Sequence, residues 1–122
     1  MSTLRVDAIT NQAGTTQPDI DGVAKAWVNF DGTQSAANMI RESFNVSSIT
    51  DLSTGQYRIN LSNAMTDADY VLTVNTGGSG ATYWHYLNYL EDPTTSTFKI
   101  LINNSANTAQ VDPVYVYVAV FR

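Results

Sequence analysis

The chain has 122 residues, six basic against eleven acidic for a formal net charge of −5, and no cysteine. That length makes one domain able to bury about two-thirds of its unfolded surface, and a 43% hydrophobic share with only 14% charged residues asks for an ordered core. The acidic balance, with no basic stripe, argues against nucleic acid or an anionic membrane as partner, and the lack of cysteine excludes disulfides and thiolate metal sites.

Apolar and polar residues alternate almost throughout, with turn residues between the segments, so strands are expected. Residues 4–10 form a short alternating segment, and 11–22 are polar and turn-rich with Gly14, Pro18 and Gly22. Residues 1–22 read as an extended arm with room for one strand, and residues 23–122 as the folded domain. In a strand over 24–31, Ala26, Val28 and Phe30 share one face while Lys25, Trp27 and Asn29 share the other. Residues 35–38 read as a loop and 39–50 as a second strand. Its alternation slips between Phe44/Val46 and Ile49, the mark of a bulge or bend. After turn chemistry at 51–55, Tyr57, Ile59 and Leu61 alternate with Gln56, Arg58 and Asn60, giving one core face.

Residues 63–69 connect to a strand over 70–76 that presents Tyr70, Leu72 and Val74 together. Gly77-Gly78-Ser79-Gly80 reads as a hairpin loop. Strands over 82–90 and 98–103 follow, separated by a turn at Asp92-Pro93-Thr94. The polar loop 104–112 and Pro113 then precede a last strand over 114–122. The expected fold is all-β: an antiparallel, jelly-roll-like β-sandwich of seven or eight strands. Helical periodicity is absent, one possible turn within 62–68 aside, and there is no internal repeat. No apolar run approaches the length of about 20 residues that spans a bilayer. The first five residues carry no signal-peptide hydrophobic region, so synthesis in a cytoplasm is expected.

Two strands are apolar on both faces. In the first, Tyr83, His85, Leu87 and Tyr89 oppose Trp84, Tyr86 and Leu90. In the last, Tyr115, Tyr117, Ala119 and Phe121 oppose Val114, Val116, Val118 and Val120. Such strands need covering twice, by the arm or a long loop of the same chain or by a second subunit.

The only histidine is His85. A serine triad would have to use it in mid-strand among aromatic residues, and Gly77-Gly78-Ser79-Gly80-Ala81 fails the nucleophile-elbow pattern at its last position. His85 therefore reads as structural. The pairs Asp19/Asp21 and Asp67/Asp69 lack the glycine and terminal glutamate of an EF-hand and read as turn and capping residues. Nothing favours a glycosidase pair of carboxylates. Three Asn-x-Ser matches, at Asn45, Asn60 and Asn103, are chance in a chain without a secretory signal. No catalytic, cofactor or metal residue is assigned, and no enzyme is expected. Seven tyrosines and two tryptophans, with Tyr83-Trp84-His85-Tyr86 consecutive, suit a core or an interface first and a sugar-binding surface second. In the latter a flat ring packs on a pyranose while amides and carboxylates fix its hydroxyls.

Five phrases stand out together: Ser2-Thr3-Leu4-Arg5-Val6-Asp7-Ala8-Ile9, Ala24-Lys25-Ala26-Trp27-Val28-Asn29-Phe30-Asp31-Gly32-Thr33, Ile40-Arg41-Glu42-Ser43-Phe44-Asn45-Val46-Ser47-Ser48-Ile49-Thr50-Asp51, Thr54-Gly55-Gln56-Tyr57-Arg58-Ile59-Asn60 and Ala64-Met65-Thr66-Asp67-Ala68-Asp69-Tyr70. They resemble the recurrent pattern of tail-fibre-like virion proteins of marine and cyanobacterial bacteriophages. The resemblance covers residues 1–75; the second half keeps only the strand pattern and the apolar ending. It implies a virion structural protein, commonly a homotrimer at a fibre or spike tip, without enzymatic activity. No heptad seam or repeated shaft accompanies it.

The expectation is therefore a virion knob, tethered to another virion protein of the tail or capsid through residues 1–22, by strand addition at 4–10. Trp27 and Phe30, on opposite faces of one strand, read as scaffold positions. Recognition is expected in the second half, with loops 77–80, 92–95 and 104–112 turned towards a host surface glycan. Two alternatives accompany this reading: a capsid decoration protein (cement or head-fibre) and a carbohydrate-binding module.

Overall fold

In the computed structural model the alternating segments form, among the described residues, eight strands: β1 (Ala24–Phe30), β2 (Ile40–Phe44), β3 (Val46–Ser53), β4 (Gln56–Leu61), β5 (Val71–Gly77), β6 (Leu87–Asn88), β7 (Thr97–Ile102) and β8 (Tyr115–Phe121). The structure describes residues 2–3, 22–78, 87–88 and 93–122. The arm segment 4–21 with Asp19 and Asp21, the loop end Ser79-Gly80, the residues Tyr83, Trp84, His85, Tyr86, Tyr89 and Leu90, and Asp92 lie outside the described residues.

The strands pair in two four-stranded sheets, β2-β1-β8-β5 and β3-β4-β7-β6, and every pairing is antiparallel. This is the β-sandwich that the period-two pattern predicts. Its order keeps the hairpins β1–β2 and β3–β4 whole within one sheet each, rather than sending successive strands to opposite sheets in the jelly-roll manner.

The core lies between the sheets. Ala26, Val28 and Phe30 of β1 and Val116, Val118 and Val120 of β8 meet Tyr57 and Ile59 of β4 and Phe98, Ile100 and Ile102 of β7; none is more than 3% exposed. The faces assigned to residues 24–31, 56–61 and 70–76 from alternation are the faces observed. Phe30 meets Tyr57 edge to face at 5.1 Å, and Tyr70 meets Phe98 at 6.1 Å. Such ring pairs contribute about 0.5–1.5 kcal/mol beyond the area they bury.

Residues 39–50 are not one strand. The chain turns a corner at Asn45, whose φ of 54° is left-handed, and passes from the first sheet into the second. Asparagine tolerates that region, and its side chain fixes the corner. Asn45 Nδ2 donates to the Lys25 and Asn63 carbonyls at 3.1 and 3.2 Å, and Oδ1 accepts the Asn63 N–H at 2.7 Å. The slip in alternation combines this corner with a true register shift between Val46 and Ser48. Residues 62–68 hold no helical turn, whereas Ala36–Asn38 forms one turn of 3₁₀ helix in the segment read as a loop.

One end of the sandwich is closed by a polar node. The Tyr57 hydroxyl donates to Asp112 Oδ1 at 2.5 Å, with the Gly32 carbonyl 3.2 Å away. The same carboxylate oxygen accepts the Gly55 N–H at 2.6 Å, and the Gly32 N–H donates to the Pro113 carbonyl at 2.8 Å. Both glycines are required by their surroundings. A Cβ on Gly32 would stand 2.5 Å from the Tyr57 hydroxyl; one on Gly55, at φ +69°, would stand 2.5 Å from the Ile102 carbonyl oxygen.

Candidate functional site

Strand β8 alternates valine inwards with Tyr115, Tyr117, Ala119 and Phe121 outwards, so its two apolar faces meet different fates. The valines are sealed by the second sheet. On the other side Tyr115 and Tyr117 remain 40% and 43% exposed, and Trp27 of the neighbouring β1 remains 37% exposed. Among the described residues, the covering expected over this face is not complete.

Register sets the pattern of the face. Trp27 of β1 and Thr73 of β5 both stand opposite Ala119, one on either side of it. Asn29 and Asn75 stand in the same way beside Tyr117. The smallest outward side chain of β8 is thus surrounded by larger ones, and the gap is a shallow groove of about 280 Å³. Trp27, Tyr117 and Ala119 give it apolar walls and floor; Asn29, Thr73 and Asn75 give it a polar margin. The side chains of Thr73 and Asn75 make no hydrogen bond among the described residues.

One row further along, the Tyr115 and Tyr117 rings stack nearly parallel at 6.2 Å, and the Arg41 guanidinium lies 4.5 Å from the Tyr115 ring centre. Arg41 is itself anchored by Asp31 at 2.9 Å. Asp31 also accepts the Thr33 hydroxyl and N–H at 2.6 and 2.9 Å. The Thr33 hydroxyl bond, opposed in part by burial and aided by the Thr33 amide and Arg41, holds the Asp31 carboxyl below its usual range. Arg41 and Asp31 are thereby paired with each other, while Glu42 of β2 stands opposite Asn29 at the edge of the groove.

In the described parts of loops 92–95 and 104–112 several polar side chains hold the loop's own shape. In 104–112, Asn104 Oδ1 accepts the Thr108 N–H at 2.9 Å, and Asn103 Nδ2 donates to Asn107 Oδ1 at 2.7 Å. In 93–95, Thr94 Oγ1 accepts the N–H groups of Ser96 and Thr97 at 3.2 and 3.0 Å. Asp67 performs the turn role read for it, accepting the Asp69 N–H at 2.9 Å, and is also bound by Arg122 through two nitrogens at 2.9 and 2.6 Å. Among the described residues no group of three His, Cys, Asp or Glu side chains is placed to hold a metal, and no helix is long and apolar enough to cross a membrane.

What the arrangement offers is a shallow apolar surface with amide and hydroxyl groups at its margin, suited to holding a ligand. Trp27, read from sequence as scaffold, belongs to it. The available signals were its polar-face neighbours Lys25 and Asn29 and the alternate tyrosines near the end of the chain. Their adjacency depends on a pairing of β1 with β8 across about ninety residues of sequence. No family model, curated protein or solved structure matches the chain.

Proposed function

We propose that the chain is a phage virion structural protein, a tail-fibre-like surface knob docked on other virion proteins of the tail or capsid through residues 1–22. Its contact surface is the open face of the β2-β1-β8-β5 sheet. The observation that carries the contact role is the grouping of Trp27, Tyr115 and Tyr117, all partly exposed, on one sheet face. Soluble proteins seldom leave large rings clustered at the surface without something to bind. The sequence phrases across residues 1–75 support the virion setting, and assembly as a homotrimer belongs to the same reading. The alternative of a carbohydrate-binding module draws on the same face.

Docking by the arm has a direct test. A chain lacking residues 1–22 should keep a cooperative thermal transition and a β-type circular dichroism spectrum yet fail to join particles assembled in infected cells. A truncated chain that still decorates particles refutes arm docking.

A further inference from the structure

We propose that the groove centred on Ala119 binds one neutral hexopyranose of a polysaccharide. This rests on the reading of the open sheet face as a contact surface and names the chemistry of its ligand. At about 4.8 Å between strands and 3.4 Å per residue, the backbones of Trp27 and Thr73 stand about 10 Å apart across Ala119, and those of Tyr117 and Phe121 about 14 Å apart along it. A single sugar ring lies flat within that frame on the Ala119 methyl group. The Trp27 and Tyr117 rings supply flat walls for its C–H groups. The Asn75 amide and the Thr73 hydroxyl supply donors and acceptors for its hydroxyls, and Asn29, whose Oδ1 accepts from Arg41 at 3.5 Å, adds its amide nitrogen as a donor.

Charge selects a neutral sugar. None of the groove-lining side chains is ionisable at pH 7, Arg41 is engaged by Asp31, the Glu42 carboxylate opposite Asn29 adds negative charge at the margin, and the net charge of −5 repels anionic glycans. A second copy of the chain is the less favoured occupant. Four strands of five to seven residues project over a face of roughly 19 by 23 Å, a small footprint for an interface that must bury about 800 Å² of accessible surface per partner.

The test uses the full-length protein, tryptophan fluorescence and isothermal titration with methyl glycosides and linear oligosaccharides of glucose, galactose, mannose and N-acetylglucosamine, and sialyllactose as the acidic comparison. Light scattering monitors the oligomeric state. Saturable binding to a neutral sugar is expected, weakened about tenfold by Trp27→Ala, by Asn75→Ala and by Ala119→Trp, which fills the groove. Leu52→Ala, at an exposed position of β3 in the other sheet, should change affinity less than threefold. Asn75→Ala, at an exposed position of β5, keeps the test valid where a larger substitution disturbs folding. Binding to none of the neutral sugars, unchanged affinity in Asn75→Ala and Ala119→Trp, or wild-type self-association abolished by Ala119→Trp each overturns the inference. Those outcomes leave the virion role intact wherever the chain is still found on particles; sugar binding by a chain absent from particles overturns the virion role instead.

Discussion

Tyr57→Phe removes a single oxygen from the closed end of the sandwich and leaves the ring in place against Phe30, 5.1 Å away. That oxygen is inaccessible to solvent, donates to Asp112 at 2.5 Å and has the Gly32 carbonyl at 3.2 Å. A hydrogen bond to a charged acceptor contributes about 1.5–3 kcal/mol net. Asp112 retains the Gly55 N–H, so the carboxylate is not orphaned and the expected loss is about 2 kcal/mol. For a chain of this size that lowers Tm by about 6–12 °C.

The pH dependence gives a second, independent readout. Burial first, then the hydrogen bond to Asp112 and its charge, push the Tyr57 hydroxyl far above its ordinary value of 10.0. With the folded pKa raised, the stabilisation is complete below pH 10. It declines as pH rises beyond that, because the unfolded chain then releases a proton the folded chain retains. Tyr57→Phe should therefore flatten the loss of stability above pH 10, leaving the smaller contribution of Tyr70, whose hydroxyl is also raised by burial. Urea unfolding followed by circular dichroism at pH 7 and from pH 9 to 11.5 measures both effects. A loss under about 0.5 kcal/mol at pH 7, or an unchanged alkaline slope, refutes the role given to this hydroxyl.

Gly55→Ala should destabilise by more than about 3 kcal/mol in the same assay, because its Cβ meets the Ile102 and Val111 carbonyls and the left-handed backbone alone costs about 1–2 kcal/mol; a loss below about 1 kcal/mol contradicts the close packing. At the corner, Asn45→Gly gives up the side-chain hydrogen bonds but keeps the backbone, whereas Asn45→Ala adds the conformational cost. Alanine should be the less stable by about 1 kcal/mol, and equal stabilities would show that φ is not limiting there. Asp67 should titrate at about 2 by NMR, held down first by the Arg122 hydrogen bond and then by the Asp69 amide. Its stabilising contribution is present above the ordinary carboxylate range and is lost as pH falls through about 2. Arg122→Gln should move the midpoint up towards 3.8; a wild-type midpoint already near 3.8 removes the pair from consideration.

Strand faces were legible because period-two alternation is local. Ala26, Val28 and Phe30, or Tyr57 and Ile59, declare their common side within a few residues. The corner at Asn45 was legible only as a slip in phase, since a bulge and a change of sheet disturb alternation alike. The node at Asp112 was not legible at all, because it joins residues 55 and 57 positions apart through a pairing no local pattern encodes. The groove fell between these cases. The tyrosines of β8 announced a second apolar face, but a small residue becomes a floor only when Trp27 and Thr73 arrive on either side of it, and that is a matter of long-range register. Sequence reasoning placed recognition in the polar loops, of which Thr94, Asn103 and Asn104 use their side chains to fix local shape.

A reconstruction of phage particles that carry the chain is the most direct test of its role. It should show the eight-stranded sandwich on the particle exterior, residues 1–22 packed against a tail or capsid protein, and the sheet face bearing Trp27 and Tyr117 directed outwards. Purified particles that lack the chain, or a sandwich held with that face against the particle, would contradict it.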